Sequence, residues 1–400
     1  MTEPRYRKAK ELVTFRTGKL DSNAAEEGGM YPFYTCAQDT YRINKYAFDT
    51  ECVLLAGNNA GGIFSLKFYR GKFNAYQRTY VIESRDSQCL NVKYLYFFLR
   101  PLLKAFEQQA TGATTKFLTL KILNNIQVVL PGIESQKNIA AILSAYDELI
   151  ENNQRRIALL ENMAEEIYRE WFVRRRFPGH DMVKVIKGVP EGWQRKKAAT
   201  LTSYLKRGVA PQYDDLAEGI AINQKCIRDG KLDLNFARHQ SRDVPADRQV
   251  KFGDVLVNST GEGTLGRVAQ VLIPISNCIV DSHVTIVRPK PGVPIHFFGM
   301  TLKAWEVHFS TMGRGATNQT ELAPSVIGGV EVTMPSMPLE DAFESYAEPL
   351  FAQITILIAQ NERLTRMRDL LLPRLISGKL SVENLDIQFP PGMVEPIHEI

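Results

Sequence analysis

Few features of the sequence point to a membrane, secreted or metal-binding protein. The five cysteines among 400 residues are an odd number, and no CxxC pair occurs. A disulfide framework and a zinc site are therefore disfavoured, and the six histidines show no HExxH spacing. No apolar run approaches the ~20 residues that a membrane span needs, and the charged amino terminus lacks the apolar core of a secretory signal. We expect a cytoplasmic protein without a metal site or a membrane segment.

The motifs of several enzyme classes are also missing. The sequence has no GxxxxGK[ST] phosphate-binding loop, which argues against an ATPase motor, and no Asn-Pro-Pro-Tyr or Asp-Pro-Pro-Tyr type of segment for base methylation. The string GEGTLG (261–266) has GxGxxG spacing, but a β-branched run follows it instead of a helix, so we interpret it as a hairpin loop. Ser259 or Ser282 beside His283 is more often a hydrogen-bonding pair or a DNA contact than part of a catalytic triad. We expect neither catalytic residues nor a cofactor.

Charge is unevenly distributed along the chain. The formal net charge is +5, made up of +6 in residues 1–134, +1 in 135–189, +3 in 190–335 and −5 in 336–400. A chain of this length usually forms two or more domains. The positive charge therefore lies in two separate blocks, a distribution that suits contacts with a polyanion.

The chain contains a long-range repeat. A Gly-Ala-Thr phrase begins at Gly112 and again at Gly315, and a β-rich stretch after each phrase ends at Pro131 and at Pro335. Self-similarity of this kind predicts two copies of one structural unit. Each copy also has further strand patterns, and the first has a helical pattern before the phrase. The strand patterns are residues 52–68 and 74–83 in the first copy and 254–271 and 279–288 in the second, and the helical pattern is 92–110.

A long helical pattern with apolar residues at alternating steps of four and three follows each proline. This heptad spacing predicts the buried seam of a coiled coil. Arg368 is an unusual seam residue, Pro373 should kink or end the second helix near its carboxyl end, and Gly378 should close the last turn. The seam is predicted at Ile139, Leu143, Tyr146, Ile150, Asn153, Ile157, Leu160, Ala164, Ile167 and Trp171, and at Phe343, Ala347, Leu350, Ile354, Leu357, Asn361, Leu364, Arg368, Leu371 and Leu375.

These patterns predict an α+β protein with a pseudo-twofold internal repeat. Two globular domains of mixed α/β structure are separated by two long helices, which must run antiparallel if the two copies are equivalent. The helices would hold two basic domains roughly 50 Å apart, compared with the ~34 Å of one turn of B-DNA. The pattern favours a reader of a two-part DNA site, with a scaffold or peptide-binding protein as the alternative. The expected boundaries are 1–134 and 190–335 for the domains, 135–175 and 336–380 for the helices, 176–189 for a linker and 381–400 for an acidic tail.

The sequence resembles the specificity subunits of type I restriction-modification systems over nearly its whole length. The phrases that carry the resemblance lie at 29–38, 112–143, 151–172, 189–193 and 371–380. The resemblance implies a non-catalytic subunit with two target-recognition domains, each reading one half of a split sequence in double-stranded DNA. It also implies an antiparallel pair of helices on which two methyltransferase subunits dock, and restriction/motor subunits that join this assembly.

Candidate DNA contacts are polar and basic side chains in the loops that recur in both copies. Arginine and lysine read guanine, asparagine and glutamine read adenine, and loops on a rigid scaffold often carry variable function. In the first domain these residues are Asn58, Asn59, Gln77, Arg78, Thr114, Thr115 and Lys116, and in the second they are Ser259, Thr260, Arg267, Ser282, His283, Arg314, Thr317, Asn318 and Gln319.

Overall fold

The computed structural model describes residues 5–59, 63–110, 115–315, 320–383 and 385–393. The chain divides into two compact units: unit 1 comprises Met1–Asn153 and Gln360–Ile400, and unit 2 comprises Gln154–Ala359. Both boundaries fall inside long helices, whereas the sequence pattern placed them at the ends of those helices. The reason is that part of each helix packs into the hydrophobic core of a unit. Each unit therefore combines one globular domain with a part of both helices.

Unit 1 is built around a six-stranded sheet with the order β2-β8-β5-β7-β3-β4. Side chains of successive strand residues point to opposite faces, so Val53 and Leu55 join one hydrophobic cluster while Leu54 joins another. Both faces of the central strand are thus buried, which explains its continuous apolar run. The strands of unit 1 are β1 (Arg5–Lys8), β2 (Val13–Thr17), β3 (Tyr31–Tyr34), β4 (Tyr41–Ile43), β5 (Phe48–Ala56), β6 (Asn58–Asn59), β7 (Leu66–Ala75), β8 (Thr79–Ser84), β9 (Lys116–Phe117) and β10 (Gln127–Leu130).

The helices of unit 1 cover the sheet. The segment 92–110, expected as one helix, forms two helices separated by a 3-10 turn at Arg100–Leu102, because Pro101 has no amide donor to continue the ladder. Asn91 caps the first of them by accepting a hydrogen bond from the Tyr94 amide. The helices that begin in unit 1 are α1 (Ala9–Leu12), α2 (Val92–Leu99), α3 (Leu103–Gln109), α4 (Leu120–Asn124) and α5 (Ile133–Tyr168), and further 3-10 turns lie at Ser22–Ala24 and Pro391–Met393.

Unit 2 repeats this topology. Its four-stranded sheet has the order β14-β22-β19-β20, which matches β2-β8-β5-β7 of unit 1 strand for strand. Its central strand is buried on both faces in the same way, with Val255 and Val257 in one cluster and Leu256 in another. The strands are β11 (Val185–Ile186), β12 (Val189–Pro190), β13 (Gln194–Lys197), β14 (Thr202–Arg207), β15 (Ile220–Ile222), β16 (Ile227–Arg228), β17 (Lys231–Leu232), β18 (Arg238–His239), β19 (Val255–Asn258), β20 (Val268–Gln270), β21 (Cys278–Val280), β22 (Val284–Pro289) and β23 (Glu331–Met334).

The repeat extends beyond the sheets. In unit 1 β1 pairs antiparallel with β10, and in unit 2 β13 pairs antiparallel with β23. A short helix follows each first strand before the main sheet begins, at α1 and at Ala198–Leu201. The predicted internal repeat and the mixed α/β character are confirmed. The helices of unit 2 are α6 (Ala198–Leu201), α7 (Ile295–Ala304), α8 (Glu306–Thr311), α9 (Pro324–Gly329) and α10 (Met337–Ile376), with 3-10 turns at His180–Met182, Gln224–Cys226 and Leu234–Phe236.

The two long helices run antiparallel in unit 1. In unit 1 Asn153 bonds to Asn361 and Asp147 bonds to Arg368, so residue numbers rise along α5 as they fall along α10. In unit 2 Trp171, in a π-helical turn at Arg169–Val173 that ends the first helix, packs edge-on against Phe343 of α10. The predicted seam residues are all buried or half-buried.

Two irregular residues of α10 have clear local explanations. Arg368 lies buried at the seam because Nη1 bonds to Asp147 at 2.6 Å and Nη2 to Asp369 at 2.8 Å. Pro373 is followed by only three more helical residues, and the chain then turns at Gly378, whose φ of +71° favours glycine. The helix thus ends close to the place that its proline predicted.

Candidate functional site

In unit 1 three loop segments meet at the end of β5, and we call this site corner 1 (Asn58, Arg78 and Phe117). The short strands β6 and β9 pair so that Asn58 lies opposite Phe117. The Gly57 amide donates to the Arg78 carbonyl at 2.8 Å, and the Leu118 amide donates to the Gly57 carbonyl at 2.9 Å. The guanidinium of Arg78, which is exposed, lies 5.4 Å from the centre of the Phe117 ring, a cation–π distance.

Unit 2 contains an equivalent site, corner 2 (Thr260, His283 and Glu321). The Ser259 amide donates to the His283 carbonyl at 2.8 Å, and the Leu322 amide donates to the Ser259 carbonyl at 2.8 Å. Thr260 forms an antiparallel bridge with Glu321. These contacts reproduce those of corner 1 one for one, so the two corners share a backbone frame.

The side chains that the shared frame presents differ between the corners. Asn58 corresponds to Thr260, Arg78 to His283 and Phe117 to Glu321, as the matching backbone contacts show. Arg78 and His283 are both exposed. The two corners have the same backbone frame but expose different hydrogen-bond donors. They can therefore bind ligands of the same chemical class that differ in their functional groups.

The Asn58 carboxamide in corner 1 is held by a neighbour, Cys36, that was not among the predicted contacts. The thiol of Cys36 lies 3.0 Å from Oδ1 of Asn58 and 3.5 Å from the Arg78 carbonyl. Gln77 donates through Nε2 to Oδ1 of Asp21 at 2.6 Å, which fixes the turn before β8. Cys36 and Phe117 carry no polar signal of the type sought in a DNA contact, which is why the sequence search passed over them.

Corner 2 is held by a chain of side-chain hydrogen bonds. Nε2 of Gln224 lies 2.6 Å from the carbonyl oxygen of Thr260 and 2.7 Å from its Oγ1. Oγ1 of Thr260 lies 2.8 Å from Nδ1 of His283. The amide of His283 donates to Oδ1 of Asp281, and burial raises the pKa of that carboxyl although this hydrogen bond opposes the shift. Gln224 lies 36 residues before Thr260, so only the fold reveals its role.

Other residues that were predicted to contact DNA lie near the corners, and their environments differ. The side chain of Ser259 is fully buried and bonds to Thr285 at 2.6 Å, so it supports the loop and is not available to a ligand in this conformation. Arg267 donates to the Gly263 carbonyl at 3.0 Å, and Arg314 pairs through its backbone with Glu321. Asn59, Thr115, Lys116 and Ser282 are half-buried. Thr114, Thr317, Asn318 and Gln319, with most of both Gly-Ala-Thr phrases, lie outside the described residues.

The glycine-rich string 261–266 connects β19 to β20, which pair as an antiparallel hairpin. Since a strand follows the loop, no helix amino terminus is available there for a pyrophosphate, and the predicted hairpin is confirmed. Within the described ranges, no group of three or more His, Cys, Asp or Glu side chains is placed to hold a metal ion. No helix among these residues is both long and apolar enough to cross a membrane.

Comparison with known proteins finds relatives of this chain among type I specificity subunits. Residues 3–162 match the family described as Type I restriction modification DNA specificity domain. The specificity subunit of the type I restriction enzyme EcoDI from Escherichia coli is 44% identical over 147 residues, which are 37% of this chain and 32% of that protein. The MjaIX specificity subunit of Methanocaldococcus jannaschii is 25% identical over 323 residues, which are 73% of this chain and 70% of that protein. These matches show that the chain is similar to type I specificity subunits.

One solved structure of a type I S subunit has a similar fold. The S subunit of a type I restriction-modification system from M. genitalium superimposes with a TM-score of 0.63 over 93% of this chain and 96% of that chain. The sequence identity is 17%, so this likeness concerns the fold alone. The match to the EcoDI subunit spans about a third of that protein.

Proposed function

We propose that this chain is the sequence-specific DNA-binding subunit of a type I restriction-modification complex. It reads a bipartite, asymmetric site in double-stranded DNA with its two globular domains. It docks methyltransferase subunits, two in number, on its long helices, and restriction subunits join the complex. The chain itself is non-catalytic and acts in the cytoplasm.

The pair of equivalent corners is the observation that carries this proposal. Arginine presents donors that match guanine, whereas histidine offers a single ring nitrogen on its free edge. Because Arg78 and His283 occupy equivalent places on equivalent frames, the two domains would recognise different sequences by the same approach. A bipartite and asymmetric site follows from a repeated fold with unequal side chains.

The charge distribution supports a nucleic-acid ligand. The first domain carries a net charge of +6 over residues 1–134, and the second carries +3 over residues 190–335. Phosphate contacts by lysine and arginine release counterions, so affinity should fall steeply with rising salt. A peptide-binding or scaffold protein would lack this dependence.

The long helices have apolar side chains that their mutual packing leaves uncovered. Leu149 and Leu370 belong to unit 1 and are 51% and 60% exposed, and Leu159 and Met163 belong to unit 2 and are 64% and 51% exposed. Clustered apolar exposure on a helix is typical of a surface that binds another protein. These positions are candidates for the methyltransferase docking surface.

The proposal is tested with the chain co-purified with its cognate methyltransferase. Mapping of methylated adenines in the host genome should yield one split recognition sequence. Arg78→Ala should lower discrimination at the first half-site by ~1–3 kcal/mol, as expected for loss of a bidentate guanine contact, and should leave the second half-site unaffected. Lys104→Ala, which removes an exposed charge from α3, is the matched control. A complex that methylates nothing and shows no salt-dependent affinity for any duplex would exclude the proposed function.

A further inference from the structure

The orientation of the Gln224 carboxamide is determined by a neighbour that can only accept hydrogen bonds. One terminal atom of this side chain lies 2.6 Å from the carbonyl oxygen of Thr260. Because a carbonyl oxygen has no proton to donate, that terminal atom must be the nitrogen. Its second proton is then directed at Oγ1 of Thr260, 2.7 Å away.

The direction of the next hydrogen bond follows from the first. Oγ1 of Thr260 accepts a hydrogen bond from Gln224, which leaves its own hydroxyl proton free to donate. The neighbouring atom on the other side is Nδ1 of His283, at 2.8 Å. In the neutral imidazole, Nδ1 therefore accepts and the proton resides on Nε2. When the ring is protonated, both nitrogens carry protons, and Nε2 remains a donor.

His283 is exposed, and none of the described residues bonds to its Nε2. We propose that Gln224 is a positioning residue that holds His283 as the Nε2–H tautomer, so that His283 offers a hydrogen-bond donor to an acceptor atom of the bound DNA. This inference rests on the proposed function. The acceptor is a base-edge oxygen or nitrogen such as O6 or N7 of guanine, or a phosphate oxygen.

The backbone around Gln224 is arranged to bring the loop close to its side chain. Gly261 has a φ of +104°, and a Cβ there would lie 2.8 Å from Nε2 of Gln224. The amide nitrogen Nδ2 of Asn258 donates to the Gln224 carbonyl at 3.1 Å. Corner 1 has the thiol of Cys36 beside Asn58 where corner 2 has Gln224 beside Thr260. Each corner therefore has its own residue supporting the loop after the central strand.

The tautomer is measured directly on the full chain. Selective labelling with [15N]histidine and two-bond proton–nitrogen correlation at pH 8.5, where histidine side chains are usually neutral, report which ring nitrogen carries the proton. The signal that disappears in His283→Asn identifies the residue. We expect the Nε2–H form in the unmodified chain, and a predominant Nδ1–H form would overturn the proposal.

Two substitutions test the role of Gln224. Gln224→Met keeps the length of the side chain but removes both donors, and should produce a mixture of tautomers at His283. Gln224→Glu replaces the donor with an acceptor for the Thr260 hydroxyl, so Nδ1 of His283 should then donate and the population should move towards Nδ1–H. An unchanged tautomer in both variants would overturn the proposal. Gln194→Met, on an exposed strand of the same unit, is the control. The signal of buried His296 reports whether each variant is folded.

The consequence for DNA is measured in the complex with the methyltransferase. Gln224→Met should lower affinity for the cognate second half-site about three- to tenfold, the loss expected for one hydrogen bond, while the first half-site keeps its affinity. A loss confined to one base pair indicates a base-edge acceptor, and a uniform loss with a shallower salt dependence indicates a phosphate. Unchanged affinity at every half-site would overturn the assignment of a DNA acceptor. If the chain showed the expected tautomer but bound no DNA, the proposed function would be wrong, whereas the tautomer assignment would stand.

Discussion

Asn153 of α5 donates through Nδ2 to Oδ1 of Asn361 of α10 at 3.0 Å. The seam otherwise consists largely of apolar residues, and Nδ2 of Asn361 also points to the Ile150 carbonyl at 3.4 Å. A polar pair at one seam position is satisfied in only one alignment of two helices. Such pairs specify register at a cost in stability, and we infer that this pair fixes the register of α5 against α10.

Substitutions of the asparagine pair should have effects of opposite sign. Asn153→Leu leaves Oδ1 of Asn361 without its partner and should lower the free energy of unfolding by ~1–3 kcal/mol. The double variant Asn153→Leu, Asn361→Leu replaces the pair with apolar contact and should be at least as stable as the unmodified chain. Urea unfolding midpoints measure both. A double variant less stable than the unmodified chain would contradict this account.

Substitutions of Arg368, the buried arginine of the seam, and of its partner Asp147 should also have unequal effects on stability. Asp147 contacts Nη1 of Arg368 at 2.6 Å and Nη1 of Arg100 at 2.9 Å. Arg368→Leu should be nearly neutral, because Asp147 keeps Arg100 as its partner. Asp147→Ala should cost about 2 kcal/mol, less than a fully buried pair because Asp147 is partly exposed. Thermal unfolding measures this difference, and equal effects of the two substitutions would contradict it.

Gly208 is required by a close approach of two backbones. A Cβ at this position would lie 2.0 Å from the carbonyl oxygen of Val280, and at Gly18 of unit 1 a Cβ would lie 1.6 Å from the Ala75 carbonyl. Gly208→Ala should therefore destabilise unit 2 by at least ~1–3 kcal/mol. Gly329→Ala is the matched control, because a Cβ there meets nothing within 4 Å. Similar urea midpoints for these two variants would refute the steric argument.

Helix length offers a test of the spacing between half-sites. The sequence predicts that the long helices hold the two recognition domains apart. Inserting one heptad in each helix, after Asn153 and after Ala359, adds roughly 10 Å at 1.5 Å per residue. The preferred gap between half-sites should lengthen by about three base pairs, since one turn of about 10 base pairs spans ~34 Å. Methylome mapping measures the gap, and each half-site sequence should be retained. An unchanged gap would rule out this role of the helices.

The candidate site was predictable in part. Asn58, Thr260, Arg78 and His283 were selected because they are polar or basic side chains in loops that recur in both copies, and the structure brings these loops together at each corner. Ser259 passed the same criteria but is fully buried, where its hydroxyl bonds to Thr285. Gln224 carries no comparable signal, because its importance arises from a contact and not from its residue type or spacing.

The sequence by itself determined the duplication, the heptad seam and the antiparallel direction of the helices. These properties depend on the periodicity of apolar residues and on the equivalence of two copies. Both can be recognised from the order of residues alone. Only the tertiary structure decided which loops meet at each corner, how Arg368 is neutralised and which nitrogen of His283 is engaged. These features depend on strand register and on distances between side chains far apart in the chain, and residue spacing does not encode such distances.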